Sequence, residues 1–393
     1  MASDLSDVEL LGRLVGFDTT SAHSNLALVD FLEEYLERPG VRAVRQASPD
    51  GAKANLVVRL GHDDRGAGGG GLVLSGHTDV VPADEEGWGS DPFRLTERDG
   101  RLVGRGAADM KGFLAVAANL ARRLEPARLA SPLVLLLTYD EEVGTLGSHH
   151  LVEHWGELEG RVGPLPRATV IGEPTSLTAV RLHKGHLKLR LTFTGRSAHS
   201  GYPHLGVNAV EAAGRAMAAL SSLRRRLEAE AVAHDTFPRV PFVALNLGAV
   251  RGGSAINVVP DRCILELGVR TLPDLGSEEL VEEIGRLARE AVAGGPAAGV
   301  ALEVISESPP LATPAGSGLH RHLQGALGQS GTHSVNFATD AGWLQRLGLD
   351  CVVFGPGSIE VAHRPDEFVR TAELAAGRQR LEELVEWFCG DRR

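Results

Sequence analysis

The chain has 393 residues, 43% of them hydrophobic, and a formal net charge of −11. It is longer than one hydrophobic core usually serves, and its acidity with no basic run excludes a nucleic-acid footprint or an anionic-membrane patch. No apolar stretch is long enough to span a bilayer, and the acidic start Met1-Ala-Ser-Asp-Leu-Ser-Asp lacks a charged-then-apolar leader, so a cytoplasmic protein is expected.

Leu5 to Val15 and Leu26 to Leu36 carry apolar residues at helical spacing, and the second run stops at Pro39-Gly40. Val41–Val44, Ala54–Leu60 and Leu72–Ser75 read as strands, the last two joined through a hairpin by the glycine run Gly66–Gly71. That run fits G-x-G-x-x-G but leads into a strand, so a dinucleotide site is not expected. The strand ending Ser-Gly-His77-Thr-Asp79 puts an imidazole and a carboxylate two residues apart on one side of the chain. There the acid can orient the ring toward a metal.

Gly104-Arg-Gly-Ala-Ala-Asp109-Met-Lys-Gly112 is a tight loop feeding a helix from about Phe113 to Leu120. Asp109 at its entrance reads equally as a helix cap or a ligand. Ser131–Thr138 suits a buried parallel strand and delivers Asp140-Glu141-Glu142 at its carboxyl end, where adjacent acids favour a bound cation over a solvated turn. His150-Leu-Val-Glu-His154 fits the H-x-x-E-H pattern, but no third ligand follows locally, and a half-exposed helix surface is the preferred reading. Thr169-Val-Ile-Gly-Glu173 repeats the strand-then-acid design.

From Val180 the pattern changes to strand (His186–Thr194), helix (Asn208–Leu227), two strands (Val243–Val250, Cys263–Arg270) and helix (Glu278–Ala291). This reads as a separate α+β domain, inserted at residues 180–293 between catalytic segments 1–179 and 294–393. An α/β pattern then resumes with strands near Ala301–Ser306 and Cys351–Phe354 and a helix from Thr371 to Phe388, with His363 after a glycine-rich turn. Cys263, Cys351 and Cys389 are odd in number and form no C-x-x-C pair, so they are treated as small apolar residues.

His77, Asp109, Glu142, Glu173 and His363 all follow apolar strands or open a helix, where an open α/β sheet gathers functional groups. The motifs Ser-Gly-His77-Thr-Asp79-Val-Val-Pro, Ala-Ala-Asp109-Met-Lys-Gly, Asp-Glu141-Glu142, Gly-Glu173-Pro-Thr-Ser and Ala-His363-Arg-Pro-Asp-Glu resemble the dizinc family of aminoacylases, carboxypeptidases and amino-acid deacylases. Weaker stretches such as Arg181-Leu-His-Lys-Gly-His186 and Leu245-Asn-Leu-Gly248 resemble its acetylornithine-deacetylating branch.

The resemblance implies an α/β catalytic domain with a mostly parallel twisted sheet flanked by helices, and an inserted ferredoxin-like lid and dimerisation domain. It implies two divalent ions, Zn2+ with Co2+ as substitute: His77 and Glu173 would hold one, Glu142 and His363 the other, and Asp109 would bridge. It further implies that Asp79 steadies His77, that Glu141 is the general base, and that His199 in Ser-Ala-His-Ser reaches the partner subunit's site in a homodimer to stabilise an oxyanion. Asn257 and Arg270 match positions holding a substrate α-carboxylate, although an ordinary salt bridge also suits Arg270. The implied substrate is a small N-acyl amino acid, N2-acetylornithine. Succinyl-diaminopimelate, another acyl amino acid or a dipeptide are the alternatives within the family, and a non-catalytic binding relative lies outside it. Asp340 stands where those deacetylases usually carry glutamate, a shorter acid for reading the ornithine amine. His183, Lys184 and His186 line the pocket or form the hinge into the lid; the sequence does not separate these.

Overall fold

The computed structural model describes residues 5–61, 70–84, 86–230, 236–273, 275–293 and 299–391. The chain divides into two compact units: Met1–Arg181 with Ala312–His333 and Thr339–Arg393, and Leu182–Leu311 with Ser334–Ala338. Most of the glycine run (residues 62–69) lies outside the described residues.

The larger unit is built on a six-stranded sheet in the order Val41–Ala47, Ala54–Leu60, Leu133–Thr138, Leu72–His77, Ala168–Ile171, Asp350–Val353. The last four strands run parallel, and the first two are antiparallel additions. Leu133–Thr138 lies between Ala54–Leu60 and Leu72–His77, so those two are not a hairpin, contrary to expectation. The reason is burial: Leu-Val-Leu-Leu-Leu-Thr is buried at every position, and such a strand belongs inside a sheet covered on both faces. The helices Asp7–Val15, Leu26–Leu36, Lys111–Arg123 and Thr371–Cys389 contribute to the same core. The first has a complete capping box, Ser6 with Glu9.

Four parallel strands present their carboxyl ends at one edge, which is where His77, Asp140-Glu141-Glu142 and Glu173 emerge. His77 is in register with Thr138, and Ser75 with Ile171.

The smaller unit has a four-stranded antiparallel sheet in the order Ala244–Gly252, Arg262–Arg270, His186–Thr194, Gly299–Ser308, with helices Ala209–Ala229 and Ser277–Ala293. The order strand-helix-strand-strand-helix-strand in this pairing is ferredoxin-like. Its last strand is the one placed in the catalytic segment by the sequence reading. Gly299–Ser308 instead pairs with His186–Thr194 and closes the inserted unit, which runs to Leu311 rather than 293. This strand is largely exposed along its length, as suits an edge, and has none of the continuous burial of the parallel strands. Cys263, Cys351 and Cys389 are buried and free. Among the described residues no helix is long and apolar enough to cross a membrane.

Candidate metal centre

His77 closes its strand with the ring buried; Nδ1 lies 2.9 Å from the Asp79 carbonyl oxygen and Nε2 3.1 Å from Asp109 Oδ1. A carbonyl only accepts, so Nδ1 donates to it, and Nε2 is the ring atom turned to the cluster, where its N–H donates to the Asp109 carboxylate and a metal ion would take the place of that proton. Glu173 Oε1 stands 3.9 Å from the same Nε2. Glycine precedes Glu173 of necessity, because a Cβ at Gly172 would lie 2.0 Å from the Phe113 ring.

Asp109 is not a helix cap. The helix starts at Lys111 after Met110 with no side-chain cap, and the Asp109 carboxylate turns to the site instead. Its Oδ1 faces His77, and its Oδ2 lies 3.4 Å from Nε2 of His363. His363, held at φ +60°, also lies 3.1 Å from the Glu142 carboxylate.

Among the described residues two groups have ligand atoms within 4.8 Å of one another: His77, Asp109 and Glu173, and Asp109, Glu142 and His363. Each combines one imidazole with two carboxylates, and Asp109 belongs to both. That donor set suits zinc and similar divalent ions. The electrostatics point the same way. Burial, reinforced by the Asp109 charge, pushes Glu142 up to about 7. Burial and neighbouring carboxylates push Glu173 and Glu141 well above the ordinary range. Hydrogen bonds to Asp109 and Glu142 raise His363 to about 10. Burial works against ionising Asp109, but the hydrogen bonds from His363 and His77 outweigh it and hold the acid low. A cluster so avid for protons is one that cations neutralise. The residues therefore fit two divalent ions.

Glu141 belongs to neither group, and its position is fixed through the main chain. Its N–H donates to Asp79 Oδ1 at 3.0 Å, and the Glu142 N–H donates to Oδ2 at 3.3 Å. Ser21 Oγ donates to Oδ2 at 2.6 Å. The Asp79 carboxylate thus grips the Glu141-Glu142 turn, while its backbone carbonyl orients His77.

Glu367 escaped the sequence reading as an individual residue. It is buried, and its Oε1 accepts from the N–H groups of Ala108 and Asp109 at 2.9 and 3.0 Å. Its Oε2 accepts from buried Arg105 at 2.8 Å. The only available signal was a glutamate four residues after His363.

Asp340 is buried in the larger unit and accepts from Thr138 Oγ1 at 2.5 Å. In the inserted unit, His199 is exposed, and its Nδ1 accepts from Gly201 N–H. The pair Ala198–His199 bridges to Val258–Val259, and Ser200 N–H donates to the Asn257 carbonyl, so His199 and Asn257 are neighbours across sequence. Arg270 ends its strand, and its charge, after burial, holds His183 and His186 down at about 4 and about 3.

Over residues 73–387 the chain matches the model of peptidase family M20/M25/M40. It is 36% identical to an acetylornithine deacetylase of Proteus mirabilis, over 97% of this chain and 96% of that one. It is 37% identical to one of Myxococcus xanthus, over 97% of both. Among solved structures, a dinuclear metal binding peptidase of the M20 family from Bacillus subtilis shares the fold, with a TM-score of 0.66 at 16% identity over 96% of both chains. A match of this extent settles the matter: the chain belongs to peptidase family M20/M25/M40.

Proposed function

We propose that this chain is a two-metal amidohydrolase that removes the acetyl group from N2-acetyl-L-ornithine, giving L-ornithine and acetate in arginine biosynthesis. The observation that carries the reading is Asp109, whose two oxygens face two different imidazoles, His77 and His363. Support for the substrate comes from the full-length relatives named for this reaction. Zn2+ is the proposed resident, with Co2+ able to replace it.

His77, Asp109 and Glu173 would hold one ion and Asp109, Glu142 and His363 the other. Ions held there supply Lewis acidity toward the amide carbonyl and a more acidic water. Glu141 does the proton work. Standing beside both ligand groups but in neither, it would take a proton from the attacking water and return it to the departing nitrogen. Asp79 aims Glu141 through its main-chain hydrogen bond.

The inserted unit is proposed as a lid and homodimerisation module. His199 would reach the centre of the partner subunit and donate to the developing oxyanion; Asn257 and Arg270 would hold the substrate α-carboxylate; Asp340 would bear on side-chain choice. A cytoplasmic homodimer is the proposed working form.

The test is release of ornithine from N2-acetyl-L-ornithine by chelator-stripped protein before and after Zn2+ or Co2+ is restored, with N-succinyl-diaminopimelate alongside. Metal-dependent turnover of the acetyl substrate is expected. Turnover of the succinyl compound alone would move the chain to another branch of the family.

A further inference from the structure

His150 and His154, the imidazoles of the H-x-x-E-H stretch, take no part in the mechanism above. They stand one turn apart on the helix Leu146–Glu153 and its cap, with His154 N–H still donating to the His150 carbonyl. Their ring centroids are 4.7 Å apart. Both line an open groove of about 760 Å³ together with Asp50, Tyr139, His149 and Glu153.

What distinguishes this pair from ordinary surface histidines is the nitrogen each has engaged. His150 Nδ1 is 3.1 Å from the Tyr139 hydroxyl, and His154 Nδ1 is 3.1 Å from the His150 carbonyl oxygen. A carbonyl only accepts, so His154 carries its proton on Nδ1; the Tyr139 hydroxyl, which can donate or accept, engages His150 at the same atom and can accept from it once Nε2 is ligated. In both rings the nitrogen engaged is Nδ1, and Nε2 is the atom left for a ligand. Fixing the ring through the nitrogen opposite the ligating one is the arrangement that supports metal-bound imidazoles. Burial and the nearby His154 also lower the pKa of His150, which favours the neutral, ligating form. His149 is otherwise engaged, 3.2 Å from Glu153 and stacked on Trp343 at 3.9 Å.

We propose that His150 and His154 form a further binding site, separate from the carboxylate centre, for one imidazole-preferring divalent ion, Zn2+ or its Ni2+ and Cu2+ analogues. Two imidazoles supply the protein ligands, and water from the open groove completes the coordination.

The probe is Zn2+ titrated calorimetrically into enzyme whose carboxylate centre is already loaded. Wild-type protein is expected to take up one further equivalent. His150→Ala and His154→Ala should each weaken that binding about tenfold or more, with turnover and the resident ions retained, and His149→Ala should keep it. No further equivalent in the wild type, or one that survives in both variants, overturns the assignment. Tyr139→Phe removes the anchor but not the ligands and is expected to weaken the site without abolishing it.

Discussion

The carboxylate of Asp79 is bonded to the main-chain N–H of Glu141 at 3.0 Å, while its nearest oxygen stands 3.6 Å from Nδ1 of His77. The ring is instead held by the Asp79 carbonyl oxygen, which any residue at that position supplies. Asp79→Ala is therefore expected to spare His77 and to loosen the Glu141-Glu142 turn. It should lower kcat by about 10- to 100-fold and reduce metal content less than His77→Ala does. Kinetics paired with metal analysis checks this; loss of metal equal to that of His77→Ala would restore the ring as the main partner.

Glu141 sits outside both ligand groups but beside their charges. Glu141→Gln keeps the shape and removes the proton acceptor. A fall in kcat of about 10²- to 10⁴-fold is expected, with both ions retained and KM little changed.

Buried Glu367 fixes the peptide that carries Asp109 without being within either ligand group. Glu367→Gln leaves one acceptor oxygen but forfeits the charge opposite buried Arg105. Metal affinity should fall by about 10- to 100-fold, measured by competition with a chromogenic chelator. Excess metal should restore most of the turnover, which it would not do after loss of the Glu141 proton acceptor.

In the inserted unit, burial and the charge of Arg270 depress His183 to about 4 and His186 to about 3. Each is depressed below 6.5, so the unfolded chain binds the extra proton first. Their contribution to stability is complete above that value and is lost progressively as pH falls toward the folded-state values. Wild-type Tm should drop between pH 6.5 and 4. His183→Asn retains a donor for the Lys184 carbonyl, bonded at 3.0 Å in the native chain. It should flatten that dependence, and an unchanged slope in scanning calorimetry would count against it.

Gly172→Ala places a methyl against the Phe113 ring at a position where 2.0 Å is available. Repacking should cost about 1–3 kcal/mol, read as a lower Tm, and displace Glu173 with loss of metal. The double variant with Phe113→Leu should recover part of both, because the obstacle is the ring.

Local chemistry decided much of this molecule. A run such as Leu133–Thr138, apolar at nearly every position, must be buried on both faces. Acids and imidazoles at the ends of such runs therefore collect at one edge of a parallel sheet, which made His77, Glu142 and Glu173 legible, whereas Asp109, at a helix entrance, and His363, in a loop, were singled out by the motifs around them. Other relationships join residues whose types carry no mark of their partners. Glu367 reaches Asp109 across 258 positions, Asp79 grips Glu141 across 62, and Gly299–Ser308 could have paired with either unit until its edge register was set. The sequence by itself determined which groups face the sheet edge, because burial and strand periodicity act within a few residues. Only the tertiary structure decided which hydrogen bond holds each group, because those partners meet only when separate strands are brought into register.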